Sequence, residues 1–284
     1  MNNIYKSETG KMEIQKAYKE ILSVWPVENK QYEVKTEYGP TFVIESGEKN
    51  KPALLLLHGS VSNSFAWYGD TVPFSKEYHV YAVDIIGEAG LSAPNRPEYN
   101  SGAYARWLYS LLENLELKSC SIIGLSLGGW MALDFATTYP EKTDNLILLC
   151  PGGLAPENSS FIWKALFYSF FGKWGNKQIH KLINGGKLPD ENTPGLDKAL
   201  AFTSLINKHF NPRFGKLPIF GEESLSRLNM PVLLLFGDKD YLLSGKESIK
   251  NLKNRVPHAV TELLTDTGHI VINQTEKILG FLKK

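Results

Sequence analysis

A serine set between two glycines is the residue in this sequence best suited to covalent chemistry. The segment Gly124-Leu125-Ser126-Leu127-Gly128 follows an apolar run and opens a helical pattern. At a strand-to-helix turn such a serine has a strained backbone, so only small residues fit two positions before and after it. The five-residue pattern is common by itself, but in this strand–turn–helix context it predicts that Ser126 is a nucleophile.

A serine hydroxyl is a weak nucleophile and needs a base that is itself oriented by an acid. His269 follows the half-buried run Val260–Leu264, and the other histidines either belong to a different motif or have no acid at suitable spacing. Two candidate acids, Asp238 and Asp240, follow an earlier apolar run. The residues therefore predict a triad of Ser126, an aspartate and His269, and they leave the choice of aspartate open.

Hydrolysis through a serine also needs two fixed N–H donors for the negative oxygen of the tetrahedral intermediate. The backbone N–H of Leu127 lies at the start of a helix, where negative charge is stabilised. The turn His58-Gly59-Ser60 follows another apolar run and offers the backbone N–H of Ser60 as a second donor. A turn of this kind is not specific alone, but within the ordered set it predicts an oxyanion hole formed by Ser60 and Leu127.

These residues need a scaffold that brings distant parts of the chain to one place. Five short apolar runs have the pattern of strands buried on both faces. They are Ala53–Leu57, Val80–Ile86, Ser121–Leu125, Leu146–Cys150 and Val232–Phe236. Helical patterns lie between several of them, so the sequence predicts an α/β fold with a mostly parallel central sheet and helices on both faces. Ligands bind at the carboxyl ends of such strands, where Ser126 and His269 fall.

The α/β pattern is extended at its start and interrupted once. Residues 1–30 predict an N-terminal helical extension, because apolar residues recur at helical spacing before Pro26. Residues 155–225 contain helical patterns without a strand pattern, and the core pattern then resumes. We therefore predict an α/β core of residues 1–154 and 226–284 that carries an inserted helical cap of residues 155–225.

The predicted cap opens with an aromatic-rich segment that has three candidate roles: packing onto the core, lining an apolar acyl pocket, and contact of a lid with a membrane. Packing accounts for part of it, since aromatic rings dominate core burial. We predict that Phe161, Trp163 and Phe167 are substrate-binding rings beneath the cap. The membrane role ranks last, because the segment lacks the strongly basic polar face of an interfacial helix.

Composition excludes several classes of protein. The 284 residues include 31 Lys and Arg and 30 Asp and Glu, a net charge of +1 that argues against nucleic-acid binding. The start of the chain lacks the apolar core of a signal peptide. The apolar stretch Phe161–Phe171 is shorter than the ~20 residues of a membrane helix. These features predict a globular cytoplasmic protein with no nucleic-acid or membrane partner.

Two cysteines, Cys120 and Cys150, are too few for a disulfide framework or a zinc cluster. The strand pattern places them at opposite ends of two neighbouring strands, so we expect free thiols. The sequence contains no His, Cys and carboxylate cluster at metal-ligand spacing, and we therefore expect no metal or other cofactor.

Taken in order, these motifs resemble the α/β-hydrolase fold over almost the whole chain from about Gln31. The resemblance implies that the acid is the last residue of Gly237-Asp238-Lys239-Asp240, which is Asp240. The segment Asp84–Ser92 departs from the family pattern after the next strand, because it is one residue longer and altered. Three segments are similar to bacterial carboxylesterases of the naproxen-esterase type, which implies ester hydrolysis without a cofactor. These segments are Ser23–Val27, Val83–Gly87 and Ile123–Gly129.

The expected function is hydrolysis of small esters with an apolar acyl part by a serine carboxylesterase. Dehalogenases and epoxide hydrolases of this fold use an aspartate nucleophile, and Ser126 argues against both. The sequence leaves open a C–C bond hydrolase, an aminopeptidase-like enzyme, and a ligand-binding signalling protein on the same fold.

Overall fold

The structure is a computed structural model that describes residues 4–188, 195–213, 215–271 and 273–283. In these residues eight strands form one sheet in the order β1-β2-β4-β3-β5-β6-β7-β8. The strands are β1 Asn29–Thr36, β2 Gly39–Ser46, β3 Ala53–Leu57, β4 His79–Val83, β5 Cys120–Leu125, β6 Thr143–Leu149, β7 Val232–Gly237 and β8 Val260–Leu264. The β1–β2 hairpin and the β2–β4 pair are antiparallel, and all other neighbours are parallel.

The helices cover both faces of this sheet. They are α1 Glu8–Leu22, α2 Thr71–Ser75, α3 Ala103–Asn114, α4 Leu127–Thr138, α5 Ser159–Ser169, α6 Gly172–Ile183, α7 Leu196–His209, α8 Glu222–Leu225, α9 Gly245–Arg255 and α10 Thr275–Leu282. The chain steps one way from β3 to β4 and the other way from β4 to β5, so right-handed crossovers put α2 and α3 on opposite faces. Helix α10 contacts α2, whereas α3 contacts α4.

The predicted fold class is confirmed, and the apolar runs are the central strands. Each of β3, β4, β5 and β7 is almost wholly buried, which explains why these runs do not alternate. The strand predicted from Val80–Ile86 ends three residues early, at Val83, because Asp84 already belongs to the loop that follows. The N-terminal helix also ends earlier than its apolar stripe, at Leu22.

The predicted insertion falls between β6 and β7, where the described residues form α5 to α8 and no strand. Residues 189–194 and 214 of this segment lie outside the described part of the chain. Helix α7 packs against the N-terminal helix α1, and the rings of Tyr18 and Phe202 stack at 5.8 Å. The N-terminal extension therefore joins the core to the segment between β6 and β7.

Two further expectations concern the cysteines and membrane spans. Cys120 and Cys150 are both buried and unpaired, and they lie at opposite ends of the parallel neighbours β5 and β6. The prediction of two free thiols is confirmed. Within the described ranges, every helix is too short or too polar to cross a bilayer.

Candidate active site

Ser126 occupies the sharp turn between β5 and α4. Its backbone has φ 52° and ψ −110°, a conformation that L residues rarely adopt. A Cβ at Gly124 would lie 2.4 Å from the Gly128 carbonyl oxygen, and one at Gly128 would lie 2.2 Å from the Leu57 carbonyl oxygen. The glycines are therefore required by the close approach of β5, α4 and the end of β3, as the sequence pattern predicted.

Three side chains from different strand ends form a chain of hydrogen bonds at this turn. The hydroxyl of Ser126 lies 2.9 Å from His269 Nε2, and His269 Nδ1 lies 2.7 Å from Asp240 Oδ2. The other oxygen of Asp240 accepts the backbone N–H groups of Leu242 and Leu243 at 2.8 and 3.1 Å. The Asp240 side chain is completely buried. This network orients the carboxylate toward the imidazole.

The two candidate aspartates have different surroundings. Asp238 is exposed, and its Oδ1 accepts the backbone N–H of Thr267 at 3.1 Å. The loop that carries His269 is also held by α6, because the His269 backbone N–H donates to the Ile183 carbonyl oxygen at 2.7 Å. The end of α6 therefore contacts the histidine loop directly.

The two predicted oxyanion donors both line the cavity in front of Ser126. Neither the Ser60 nor the Leu127 backbone N–H has a hydrogen-bond acceptor among the described residues. The turn that carries Ser60 is fixed by His58, whose Nε2 accepts the Ile85 backbone N–H at 2.9 Å. Burial lowers the pKa of His58, which favours the neutral ring that this bond requires.

Sequence reasoning did not identify Glu88, which fastens the same turn. Its Oε2 accepts the backbone N–H of Val61 at 2.6 Å, and Val61 has the unusual φ of 56°. Burial raises the pKa of Glu88 to about 7, although this bond and the nearby Arg96 and Arg213 act in the opposite direction. Glu88 lies in the loop after β4 that departs from the family pattern, and a charged residue in a glycine-rich loop was the available signal.

A cavity of about 290 Å³ lies in front of Ser126 and His269. Of the three aromatic residues predicted to bind substrate, only Phe161 is among its lining residues. Trp163 and Phe167 are 70% and 58% exposed and are not among the lining residues, so the cavity does not support their predicted role. The reason is helical geometry: at 100° per residue, Trp163 and Phe167 are about 160° and 120° around α5 from Phe161.

The cavity wall also has polar residues that sequence reasoning missed. Arg213 stacks on the ring of Tyr99 at 3.9 Å and donates to the Pro97 carbonyl oxygen at 2.6 Å. Glu157 accepts the backbone N–H of Leu217 at 3.1 Å. Both charged side chains are thus engaged by protein groups, and the apolar wall is completed by Leu217, Leu242 and Leu243.

The side chains of Cys150, Asp240 and His269 are close enough together to contact one metal ion. Their ligand atoms lie within 4.8 Å of one another. A metal needs cysteine as the thiolate, whereas burial and the neighbouring Asp240 carboxylate raise the pKa of the Cys150 thiol well above its ordinary range. The group therefore fits a protonated thiol that donates to Asp240 better than it fits a metal ion.

In chemical terms, the site combines a hydroxyl, an imidazole and a buried carboxylate with two residues, Ser60 and Leu127, that line a mainly apolar cavity and have backbone N–H groups without an acceptor among the described residues. The base is within hydrogen-bond reach of the hydroxyl, and the acid is within reach of the base. This is the arrangement that nucleophilic acyl transfer requires.

Comparison with known proteins agrees with this architecture. A sequence profile described as the alpha/beta hydrolase fold matches residues 52–273. An uncharacterized carboxylesterase, nap, of Bacillus subtilis is 30% identical over 89% of this chain and 85% of that protein. Carboxylesterase YbfK of the same species is 28% identical over 94% of this chain and 92% of that protein. The crystal structure of naproxen esterase from Bacillus subtilis has a TM-score of 0.83 at 26% identity, covering 98% and 99% of the two chains. The chain therefore belongs to the α/β-hydrolase fold family.

Proposed function

We propose that this protein is a serine carboxylesterase that hydrolyses small esters with an apolar acyl part. The observation that carries the proposal is the hydrogen-bonded chain from Ser126 through His269 to the buried Asp240, at the wall of a mainly apolar cavity. Two relatives that match this chain over most of their length are named carboxylesterases, and these names support the reaction type.

In the proposed reaction, Ser126 attacks the ester carbonyl carbon while His269 Nε2 takes the hydroxyl proton. Asp240 holds the imidazole by its Nδ1–H and stabilises the positive charge that forms on it. The carbonyl oxygen becomes negative and is stabilised by the backbone N–H groups of Ser60 and Leu127. These two amides support this role because both line the cavity and have no other acceptor in the described residues.

The intermediate then collapses, and the proton on His269 passes to the departing alkoxide. Water enters, His269 removes its proton, and attack on the acyl-enzyme releases the carboxylic acid and restores Ser126. Every proton in this cycle is carried by His269, and no metal or other cofactor is needed.

The acyl group is proposed to lie against the apolar wall, beneath a cap formed by residues 155–225. Phe161 and Leu217 support this placement, because both belong to that segment and line the cavity. Each buried methylene contributes ~0.8 kcal/mol. We therefore expect kcat/KM to rise a few-fold with each added acyl carbon until the cavity is full.

The test is steady-state hydrolysis of p-nitrophenyl esters of increasing acyl length, combined with labelling by an organophosphonate. Repeated turnover, one label on Ser126, and a loss on the order of 10⁴-fold in Ser126→Ala support the proposal. Labelling at another residue, or full activity in Ser126→Ala, contradicts it. Release of a single product equivalent without further cycling would indicate a ligand-binding protein instead of an esterase.

A further inference from the structure

The α5–α6 hairpin, residues Ser159–Ile183, presents five large aromatic side chains to solvent. On α5 and at the residue that caps its C-terminal end these are Trp163, Phe167 and Phe170, which are 70%, 58% and 80% exposed. Their spacing of four and three residues places them in one stripe along the helix. In an ordinary surface helix the stripe at this spacing faces the core. Here it faces outward, while Phe161 on the other side of α5 lines the cavity.

The outward stripe continues onto the start of α6. The rings of Phe167 and Phe171 are 5.1 Å apart, and those of Phe171 and Trp174 are 5.7 Å apart. Phe171 and Trp174 are about half exposed. We call the five residues of this surface the aromatic patch: Trp163, Phe167, Phe170, Phe171 and Trp174. Isolated exposed apolar residues are normal, but a contiguous set of large rings marks an interaction surface.

The charge around the aromatic patch identifies the kind of partner. Residues 158–188 contain five lysines and no Asp or Glu, whereas the rest of the chain contains 26 basic and 30 acidic residues. One of the five, Lys187, is paired with Asp266, which leaves four for a partner. Lys177 and Lys181 follow Trp174 at three and seven residues, so they share its side of α6. Lys164 on α5 is also exposed, with its ammonium group over the ring of Tyr241.

We propose that the aromatic patch docks this protein on the surface of an anionic lipid bilayer. Aromatic rings insert well at the boundary between lipid headgroups and acyl chains, because this boundary is apolar on one side and hydrated on the other. Flanking lysines are attracted to anionic headgroups. From the sequence, membrane contact ranked last because the aromatic segment lacks a strongly basic face. In the structure, Lys177 and Lys181 of α6 share the side of Trp174 and supply the basic residues that α5 lacks. The inference goes beyond hydrolysis, since it concerns binding and not the reaction.

Docking in this orientation places the cavity close to the lipid. Phe161 and Phe170 are nine residues apart on one helix, which corresponds to roughly 14 Å along its axis. Helix α6 ends at Ile183, whose carbonyl oxygen holds the backbone N–H of His269. The bilayer-facing hairpin is therefore joined directly to both the cavity wall and the histidine loop.

The test is sedimentation of the full chain with vesicles of phosphatidylglycerol and phosphatidylcholine in equal parts, and with pure phosphatidylcholine vesicles. We expect binding to the mixed vesicles that is stronger than binding to pure phosphatidylcholine. It should weaken in ~1 M salt, where charges separated by more than about 3 Å are screened. Lys177→Gln and Lys181→Gln should each weaken binding to the mixed vesicles by about fivefold.

The patch itself is tested with the triple variant Trp163→Ser, Phe167→Ser, Phe170→Ser. Binding should fall on the order of tenfold for each ring, because apolar area is lost from the interface. The matched control replaces three exposed apolar residues elsewhere by serine: Met12, Val24 and Ile219. It should bind vesicles like the wild type. All these side chains are exposed, so the variants should keep the wild-type unfolding midpoint.

The outcomes separate docking from other uses of the patch. Failure of the wild type to bind either vesicle, or an equal loss in the control variant, overturns the proposal. Light scattering without vesicles shows whether the protein forms a dimer. If the wild type forms a dimer that the triple variant does not form, and if neither vesicle is bound, the patch is an interface with a second copy of the chain. That result also overturns the proposal of membrane docking. Because Ser126→Ala should bind vesicles like the wild type, the result does not depend on esterase activity.

Discussion

Around Ser126 the polar side chains are held by several protein contacts at once, whereas the α5–α6 hairpin turns large apolar rings to solvent. Asp240 accepts three N–H groups, and Glu88 and His58 each fasten a backbone turn. On the hairpin, the ring of Phe171 contacts the rings of Phe167 and Trp174, and all five rings of the aromatic patch are about half exposed or more. A site that stabilises charge must be preorganised, because reorienting dipoles during the reaction would cost free energy. A surface that adapts to a partner has no such requirement.

The largest effect expected from this difference concerns the buried acid. Asp240→Asn should lower kcat by about 10³-fold or more, since the amide no longer stabilises the protonated imidazole. Asp238→Asn is the matched control, because Asn can still accept the Thr267 backbone N–H, and it should change kcat less than tenfold. Steady-state kinetics on a short p-nitrophenyl ester measures both. A larger loss in Asp238→Asn would mean that the wrong aspartate had been chosen.

The next effect concerns Glu88 and depends on pH. Burial raises its pKa from about 4.5 to about 7, so between these values the folded protein holds a proton that the unfolded chain releases. The free energy of unfolding of the wild type therefore decreases as the pH rises through this window. Above the window, burial of the Glu88 charge lowers that free energy by about 3 kcal/mol. Glu88→Gln has no charge to bury and keeps an acceptor for the Val61 N–H.

We expect the free energy of unfolding of Glu88→Gln to exceed that of the wild type by about 2 kcal/mol more at pH 8 than at pH 5. Urea unfolding at the two pH values measures this difference. The control is Glu33→Gln, at an exposed carboxylate on β1, which should show no such change. A gain that is the same at both pH values would show that burial of the charge is not the cause.

A smaller effect tests how closely the elbow is packed. Gly128→Ala places a methyl group 2.2 Å from the Leu57 carbonyl oxygen, and it should destabilise the fold by about 1–3 kcal/mol while reducing kcat. Gly280→Ala, in α10 with no atom within 4 Å of the new methyl group, should instead stabilise by up to ~1 kcal/mol. Thermal unfolding of the two variants measures whether each substitution raises or lowers the stability of the fold. Equal behaviour of the two variants would argue against tight packing at Gly128.

The smallest effect separates the two sides of α5. Phe161→Ala should shift the preferred acyl length and change the ratio of long-ester to short-ester kcat/KM a few-fold, since the ring lines the cavity. Phe170→Ala, on the exposed side, should leave this ratio as it is. The ester series described above measures both. If the two variants altered all esters equally, the ring of Phe161 would serve packing and not acyl recognition.

Much of this fold could be predicted because its patterns are local. Strands buried on both faces are short continuous apolar runs, so β3 was predicted with its observed bounds, and the central parallel sheet followed. The half-buried run Val260–Leu264 also has the bounds of β8. The turn at Ser126 was predictable for a steric reason, since close approach of three backbones requires glycine at two positions. The order Ser126, Asp240, His269 led to three side chains that the structure brings within hydrogen-bond distance.

The sequence by itself thus determined the strands, the elbow and the candidate triad, all of which depend on neighbouring residues. Only the tertiary structure decided which rings of α5 face the cavity, because a helix that is apolar nearly all round has no periodicity to show its inner side. The same holds for Glu88, which acts on Val61 through a contact that spans 27 positions and leaves no local pattern. Contacts between distant residues arise from the packing of the whole chain, and that packing selected Phe161 and turned Trp163 and Phe167 outward.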